Sequence, residues 1–313
     1  MSEQLNEDTN HENYSATQES NSTLSNQEDN SNIFPQSDMS KSCSCGNKAI
    51  NEIDNNMTSS FIYTLGRIEP RFSSIGIEKE FNQAAKTLET KGQTEYEVLK
   101  TVLEQKQFRY LARQMCWILK VEGLDTYILS PREPEDFESL IESIRVPPRA
   151  TDVDVVIGFR GLVSSPNMCG GLILPIVTFD QVYSFDTDSL IKSIPKPKEA
   201  DAKRFNATAE EIFNRISQMA DNVGATDTHR ALNYLLVRYE AIYVNAVTMH
   251  GLNYSLSGVE VRPSILSNTR KIVNVIFSYR NRNTDVEEKY AVSVDVTEEY
   301  PFLINKLTQY FDH

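Results

Sequence analysis

The chain has 313 residues and a formal net charge of −13 at pH 7. This negative charge argues against a nucleic-acid-binding protein and against docking on anionic lipid, because both partners need a basic surface. No apolar run approaches the roughly 20 residues that span a bilayer, and the N-terminus lacks the basic and apolar regions of a secretory signal. We therefore expect a cytoplasmic protein whose four cysteines are thiols or metal ligands rather than disulfides.

Residues 1–56 differ in composition from the rest of the chain. They are rich in Asn, Ser, Glu, Gln and Thr, and their ten acidic residues and two lysines give a charge of −8. Such a segment cannot bury enough apolar area to offset its chain entropy, so the composition predicts a disordered acidic tail. Within it stands one motif, Cys43-Ser44-Cys45. Residues 57–313 are then one folded domain.

Apolar periodicity predicts the elements of the first half of the domain. These are a strand at 61–68, a helix at 76–91, a helix at 95–106 with a capping box of Thr94 and Glu97, a helix at 134–145, strands at 152–163 and 172–179, and a helix at 187–194. Residues 108–121 are ambiguous, and we favour a hairpin in which 112–121 pairs with 124–130 around Glu122-Gly123. Pro175 marks its strand as an edge strand or as the site of a bulge.

The second half begins with a helical block and returns to strands. Residues 206–250 are predicted as three helices, the first opened by Thr208 with Glu211 and the second capped by Thr226 or Asp227. The remaining predicted elements are strands at 255–263, 270–281 and 286–297, a polar hairpin turn at 281–283 and a last helix at 301–311. Because strands flank a central helical block, the predicted fold is α+β, a single domain with a mixed or mostly antiparallel sheet.

The cysteines are candidate zinc ligands. Four thiolates complete a tetrahedral zinc site, so Cys43, Cys45, Cys116 and Cys169 would form a structural site that ties the tail to the domain. Structural zinc more often uses C-x2-C pairs than C-x-C with two distant cysteines. The alternative is that Cys116 is a small buried apolar residue and Cys169 a loop thiol.

Known catalytic motifs are absent from the sequence. It contains no G-x-S-x-G, no phosphate-binding P-loop and no G-x-G-x-x-G followed by a helix. Cys169, His229 and a carboxylate would make a thiol-hydrolase trio, although nothing in the sequence brings them together. The plainer interpretation of His229 is a capping-region histidine at the start of a helix.

Charged residues interrupt several apolar runs. They are either surface ion pairs of little energetic weight or parts of a groove that binds a peptide through its backbone and charges. On the second interpretation we select four candidate peptide- or partner-binding residues: Arg67, Glu69, Arg71 and Arg113. Asp152 and Asp154 alternate along a predicted strand and therefore share one face.

Long stretches of the chain, in order, resemble the C-terminal domain of the cyanobactin maturation proteins PatA and PatG. The resemblance covers about residues 60–313 and is carried by FIYTLGRIEPRFSSIGIEKEF, RYLARQMCWILKVEGLDTYILSPREPED, DVDVVIGFRG, MCGGLILPIVTFDQVYSFD, QMADNVGATDTHRALNYLLVRY, VEVRPSILSNTRKIVNVIFSYRNRNTDVEEKY and VDVTEEYPFLINKL. In that family the domain, of unknown function, usually follows a subtilisin-like protease that cleaves or macrocyclises a ribosomally made precursor peptide. Here the acidic tail precedes it, and the Ser, His and Asp of that protease have no counterparts.

The resemblance implies a non-catalytic accessory domain in the maturation of a ribosomally synthesised, cyanobactin-like peptide. Its expected partner is the precursor peptide or a maturation enzyme, the protease or a heterocyclase, with neither nucleic acid nor membrane as a partner. Two alternatives are an unrecognised peptide-modifying enzyme that uses Cys169 and His229, and a structural oligomerisation domain such as a homodimer.

Overall fold

A computed structural model describes residues 60–196, 202–219, 221–265, 267 and 269–311. This part of the chain contains eight α-helices and ten strands in two sheets, which confirms the α+β prediction. The predicted tail, with Cys43 and Cys45, lies outside the described residues.

The elements of the first half, in chain order, are β1 (Phe61–Phe72), α1 (Ile75–Thr87), α2 (Glu95–Glu104), α3 (Arg109–Gln114), β2 (Met115–Val121), β3 (Leu124–Pro131), α4 (Phe137–Ser143), β4 (Asp152–Val163), β5 (Pro175–Asp186) and α5 (Thr187–Ser193). Those of the second half are α6 (Ala202–Ser217), α7 (Asp227–Arg238), α8 (Ala241–Gly251), β6 (Tyr254–Pro263), β7 (Ile272–Asn281), β8 (Glu287–Asp295), β9 (Phe302–Leu303) and β10 (Thr308–Tyr310).

The first five strands close into a barrel in the order β1-β2-β3-β5-β4. Strands β3 and β5 run parallel and the other pairs antiparallel, which is the strand arrangement of the OB-fold. Strand β1 serves both sides of the barrel, because its residues 61–66 pair with β4 and its residues 67–72 pair with β2. The change of partner occurs at Gly66, where a Cβ atom would lie 2.3 Å from the carbonyl oxygen of Lys120. Only glycine lets β1 bend this close to β2.

Two large hydrophobic cores lie on either side of the barrel wall. Barrel side chains such as Ile62, Trp117 and Phe179 share one core with α1 to α4. The opposite face of β1 and β4, which carries Tyr63 and Val155, shares the other core with α5 to α8 and with the second sheet. That sheet has the order β10-β8-β7-β6, with β9 also paired to β8. Helix α7 contacts both β1 and β7, so it lies between the barrel and the second sheet.

A fully buried arginine fixes α7 to the segment that follows β8. The side chain of Arg230 is 0% exposed. Its guanidinium donates to the carbonyl oxygens of Val296 at 2.7 Å, Glu299 at 3.2 Å and Glu298, and lies 3.6 Å from the carboxylate of Asp227. Backbone carbonyls and nearby carboxylates together therefore stabilise this buried cation.

Predictions that rest on local signals are confirmed. Thr94 and Glu97 form the capping box of α2, in which the Glu97 carboxylate accepts from the Thr94 N–H at 2.6 Å. Thr226 caps α7 by accepting from the N–H of His229 at 3.1 Å. The β2–β3 hairpin turns at Glu122-Gly123, although α3 occupies the residues before Met115.

Two predictions about element boundaries or type need correction. Helix α6 begins at Ala202, so Thr208 lies buried inside it and does not open it; the polar run before Thr208 continues the helix because Phe205 anchors it in the core. The expected helix at 301–311 is wrong, because this segment forms β9 and β10 against β8. Of the two alternatives predicted for Pro175, the bulge is confirmed and the edge strand is not, because Pro175 begins β5 opposite Val163 at an irregularity of the β4–β5 ladder, and β5 pairs with both β3 and β4. Among the described residues, no helix is long and apolar enough to cross a membrane.

Candidate recognition cleft

Cys116 and Cys169 form a disulfide, with 2.13 Å between the two sulfur atoms. This corrects the expectation that these cysteines are thiols. Cys116 points from β2 toward Ile118 and Ile128 on the same barrel face, and the loop that carries Cys169 folds over this face. In this oxidised form neither sulfur is a thiolate ligand for zinc. Within the described residues, no group of three or more His, Cys, Asp and Glu side chains is placed to hold a metal ion.

The structure does not assemble a thiol-hydrolase trio from Cys169 and His229. Cys169 is bonded to Cys116, which pairs with Arg71 near the C-terminal end of β1. His229 lies in the first turn of α7, just after Gly224, whose carbonyl accepts the N–H of Tyr63 near the other end of β1. Tyr63 and Arg71 are separated by about 26 Å of strand at roughly 3.3 Å per residue. The sulfur is therefore oxidised and lies toward the opposite end of β1 from the start of the helix that carries the imidazole, whose pKa is lowered by burial.

Beyond Gly66, one edge of β1 is no longer paired with β4, and two features block that edge. The N–H of Ile68 donates to the carboxylate of Asp154 at 2.7 Å. Pro70 lies two residues further along β1, so its backbone nitrogen faces the same edge as that of Ile68, but proline has no N–H to donate. Strand addition by a foreign peptide needs such donors, so this edge is protected against it. A ligand at this seam, the unpaired edge of β1 from Arg67 to Pro70, must be held by side chains rather than by backbone hydrogen bonds.

A cleft of about 520 Å³ lies beside this seam. One wall is β1 from Leu65 to Glu69, and the opposite wall is formed by α6. The β2–β3 turn and the beginnings of β4 and α5 complete the rim. Of the four predicted partner-binding residues, Arg67 and Glu69 line this cleft.

The other two predicted residues lie elsewhere. Arg71 forms two hydrogen bonds of 2.7 Å with the carboxylate of Asp125, a bidentate pair that holds its guanidinium in place and raises its pKa. Arg113 is exposed in the last turn of α3, outside the cleft. The structure thus groups Arg67 with Glu69 and separates both from Arg113.

The lining of the cleft is acidic. Its two cations already have partners, because Lys120 pairs with Glu69 at 2.9 Å and Arg67 donates to the Arg149 carbonyl at 2.5 Å. Its carboxylates are those of Glu69, Glu122, Asp152, Asp188 and Glu210. The cleft therefore presents more acceptors than donors to a ligand.

Asp154 lies behind the cleft as a buried carboxylate. Its side chain is 6% exposed and accepts hydrogen bonds from the Ile68 N–H and the Ser184 hydroxyl. Burial raises the pKa of Asp154 to about 6, although these two hydrogen bonds act in the opposite direction and lower the pKa. A smaller cavity of about 50 Å³ lies against it and shares Arg67, Glu69 and Asp152 with the cleft.

Two buried asparagines at the cleft were not predicted from the sequence. Asn222 donates to the side-chain oxygen of Asn233 at 2.7 Å, and Asn233 donates to the Tyr63 carbonyl at 2.8 Å. Both line the cleft and are at most 4% exposed. The signal in the sequence was a polar residue beside Leu232 on the apolar face of α7. Gly224, with a φ of 74°, brings this loop so close to β1 that a Cβ would lie 2.4 Å from the Thr64 Cβ.

Comparisons with known proteins identify the type of domain. Residues 199–310 match the family model described as PatG C-terminal. A solved structure, the PatG domain of unknown function, shares the fold with a TM-score of 0.66 and 16% sequence identity, covering 80% of this chain and 99% of that one. No curated protein matches the chain. Residues 199–310 are therefore similar to the PatG C-terminal family, and the chain shares the fold of the solved PatG domain.

Proposed function

We propose that this protein is a non-catalytic recognition module in the maturation of a ribosomally synthesised, cyanobactin-like peptide. In this proposal the cleft between β1 and α6 holds a segment of the precursor peptide or of a maturation enzyme. The observation that carries it is the cleft itself. Its volume of about 520 Å³ falls within the range of about 300–1,000 Å³ of ligand sites. Two of the residues that the sequence marked for partner binding line it.

The charge of the cleft favours a basic segment. The cleft carboxylates outnumber its cations, and both cations are engaged inside the protein. A lysine or arginine side chain, or a free amino group, supplies the donors that such a lining lacks. Because the free edge of β1 is blocked, a bound segment cannot pair with it as an added strand and is recognised through side chains. The sequence of the bound segment therefore matters more than its ability to form a strand.

Calorimetric titration of the full chain with the precursor peptide, the maturation protease and short basic, neutral and acidic peptides tests the proposal. We expect the basic peptide to bind best and to weaken as salt is added. Glu210→Gln, in the cleft wall, should weaken it by about threefold to tenfold. Glu142→Gln removes an exposed charge from α4, outside the cleft, and serves as the matched control. Equal binding by both variants, or absence of binding to precursor and protease, contradicts the proposal.

Two further expectations from the sequence are tested separately. Light scattering at micromolar concentration addresses the oligomerisation alternative, which a monomer would eliminate. Elemental analysis of protein prepared under reducing conditions without added zinc addresses the four-cysteine site, since zinc binding by Cys116 and Cys169 requires that their disulfide be open.

A further inference from the structure

A second groove, of about 400 Å³, lies on the other side of α7 from the cleft. We call it the tyrosine groove; its lining residues are Tyr63, Ile157, Gln181, Tyr234, Arg238, Tyr300 and Pro301. Barrel strands provide the floor, α7 one wall, and the segment after β8 the other wall. Nothing in the proposed function uses this groove.

The aromatic rings of the groove are held in fixed positions by one another. Tyr63 is only 2% exposed, and its ring meets that of Tyr234 edge to face with 6.2 Å between centroids. Its hydroxyl lies 2.9 Å from that of Tyr183. The guanidinium of Arg238 lies over the Tyr183 ring, 4.9 Å from its centroid. A cation is thus placed against a rigid aromatic surface.

Hydrogen-bond donors at this point exceed the acceptors that face them. Two tyrosine hydroxyls that share one hydrogen bond leave one O–H to donate elsewhere, and a guanidinium carries five N–H groups. The groups that face Arg238 are the tyrosine hydroxyls of Tyr63, Tyr183 and Tyr234, and no carboxylate of the described residues pairs with it. Asp180, the acid beside Tyr300, is already bound by Arg132 at 2.7 Å and by the Tyr300 hydroxyl at 3.0 Å.

The position of Arg238 in the last turn of α7 suggests a simpler role, a cation that complements the helix dipole. That role needs a positive charge near the last carbonyls and nothing more. It does not account for a guanidinium that lies over a ring of β5, beside hydroxyls with an unused proton. The arrangement instead has the features of an anion site with an aromatic wall.

We propose that the tyrosine groove binds a carboxylate carried beside an aromatic or prolyl ring of a peptide. The guanidinium would take the carboxylate through two parallel N–H···O bonds, with the free tyrosine O–H as a third donor. The ring would pack on Tyr234 and Tyr300. A C-terminal carboxylate and an Asp or Glu side chain share this chemistry.

Titration of the full chain with three capped peptides tests the proposal. The probes are acetyl-Ala-Ala-Phe with a free C-terminal carboxylate, the same peptide as its C-terminal amide, and acetyl-Asp-Phe-amide. We expect the free acid to bind roughly tenfold more tightly than its amide, because the amide loses the charge-assisted bidentate contact with the guanidinium. Binding of acetyl-Asp-Phe-amide as tight as that of the acid would assign the site to side-chain carboxylates, and binding as weak as that of the amide would assign it to C-termini.

Variants separate the groove from the rest of the surface. Arg238→Gln should abolish the preference for the acid, Tyr183→Phe should reduce it, and Arg204→Gln, an exposed arginine of α6, should leave it unchanged. Equal binding of acid and amide by the native chain overturns the proposal without any variant, as does a preference that persists in Arg238→Gln. The basic peptides used for the cleft should bind Arg238→Gln normally, so failure of one proposal is distinguishable from failure of the other.

Discussion

Replacing Asp154 with asparagine tests whether the buried carboxylate behind the cleft lowers stability at neutral pH. Its two oxygens accept from the Ile68 N–H and the Ser184 hydroxyl. Asparagine can keep both contacts, because its oxygen accepts from Ile68 while its amide donates to a hydroxyl that accepts as readily as it donates. The substitution therefore removes the charge and leaves the packing and the hydrogen bonds in place.

The magnitude follows from the raised pKa. Burial moves the pKa of Asp154 from 3.8 to about 6, so between these values the folded protein holds a proton that the unfolded chain has released. This contribution to stability is fully present below pH 3.8 and is lost as the pH rises through 6. At 1.36 kcal/mol per pH unit, the loss is about 3 kcal/mol. Asp154→Asn does not titrate, so its advantage over the native chain should grow by about 2.5 kcal/mol from pH 4 to pH 8.

Urea unfolding followed by the fluorescence of Trp117, the chain's one tryptophan and 1% exposed, measures this difference. The free energy of unfolding is determined for both proteins at each pH, and titrating groups common to both cancel in the difference. Ser184→Ala removes a hydroxyl that stabilises the charged carboxylate, so it should enlarge the loss with rising pH. A difference between Asp154→Asn and the native chain that stays constant, or shrinks as the pH rises, would refute the reasoning.

Three other substitutions, with Gly92→Ala as a control for the second, test the contacts that hold the fold together, each by urea unfolding. Arg230→Met leaves three backbone carbonyls without their buried donor and should lower the free energy of unfolding by about 3–5 kcal/mol. Gly224→Ala combines a left-handed backbone with a steric overlap and should cost about 2–5 kcal/mol, whereas Gly92→Ala, with a φ of 86° and open space around it, should cost only about 1–2 kcal/mol. Cys169→Ala should cost about 2–4 kcal/mol in non-reducing buffer and nothing further in reductant; a native chain that is insensitive to reductant would contradict the disulfide.

The sequence predicted those elements whose signals lie within a few residues. The capping box of Thr94 and Glu97 and the turn at Glu122-Gly123 are of this kind, because the atoms that form them are close in the chain. The segment 301–311 was assigned to the wrong class because its partner is the edge of β8, and its apolar residues alone do not reveal that pairing. The order of strands in the barrel could not be predicted either, since it depends on pairs of strands that are not adjacent in sequence, such as β3 with β5.

The candidate sites show the same division. Arg67 and Glu69 could be selected from the sequence because these charges directly follow a predicted strand. Asn233 could not be selected, because its hydrogen-bond partner, the Tyr63 carbonyl, is 170 residues away. The disulfide was excluded by an argument from cellular compartment, which says nothing about distance. Folding places Cys116 and Cys169 with their Cα atoms 5.6 Å apart, although 53 positions separate them in sequence.

The contact between Asn233 and Tyr63 has a consequence for synthesis on the ribosome. The barrel strands are complete once Asp186 has been made, but the asparagine that satisfies the Tyr63 carbonyl comes 47 positions later. At about 5–20 residues per second, this interval lasts roughly 2–9 s. During it, α5 and α6 are made, but α8 and the second sheet, which complete the core over the barrel face that carries Tyr63 and Val155, are not. The nascent chain therefore passes through a stage with an incompletely covered apolar wall, and slower translation after residue 186 should increase its recruitment of chaperones.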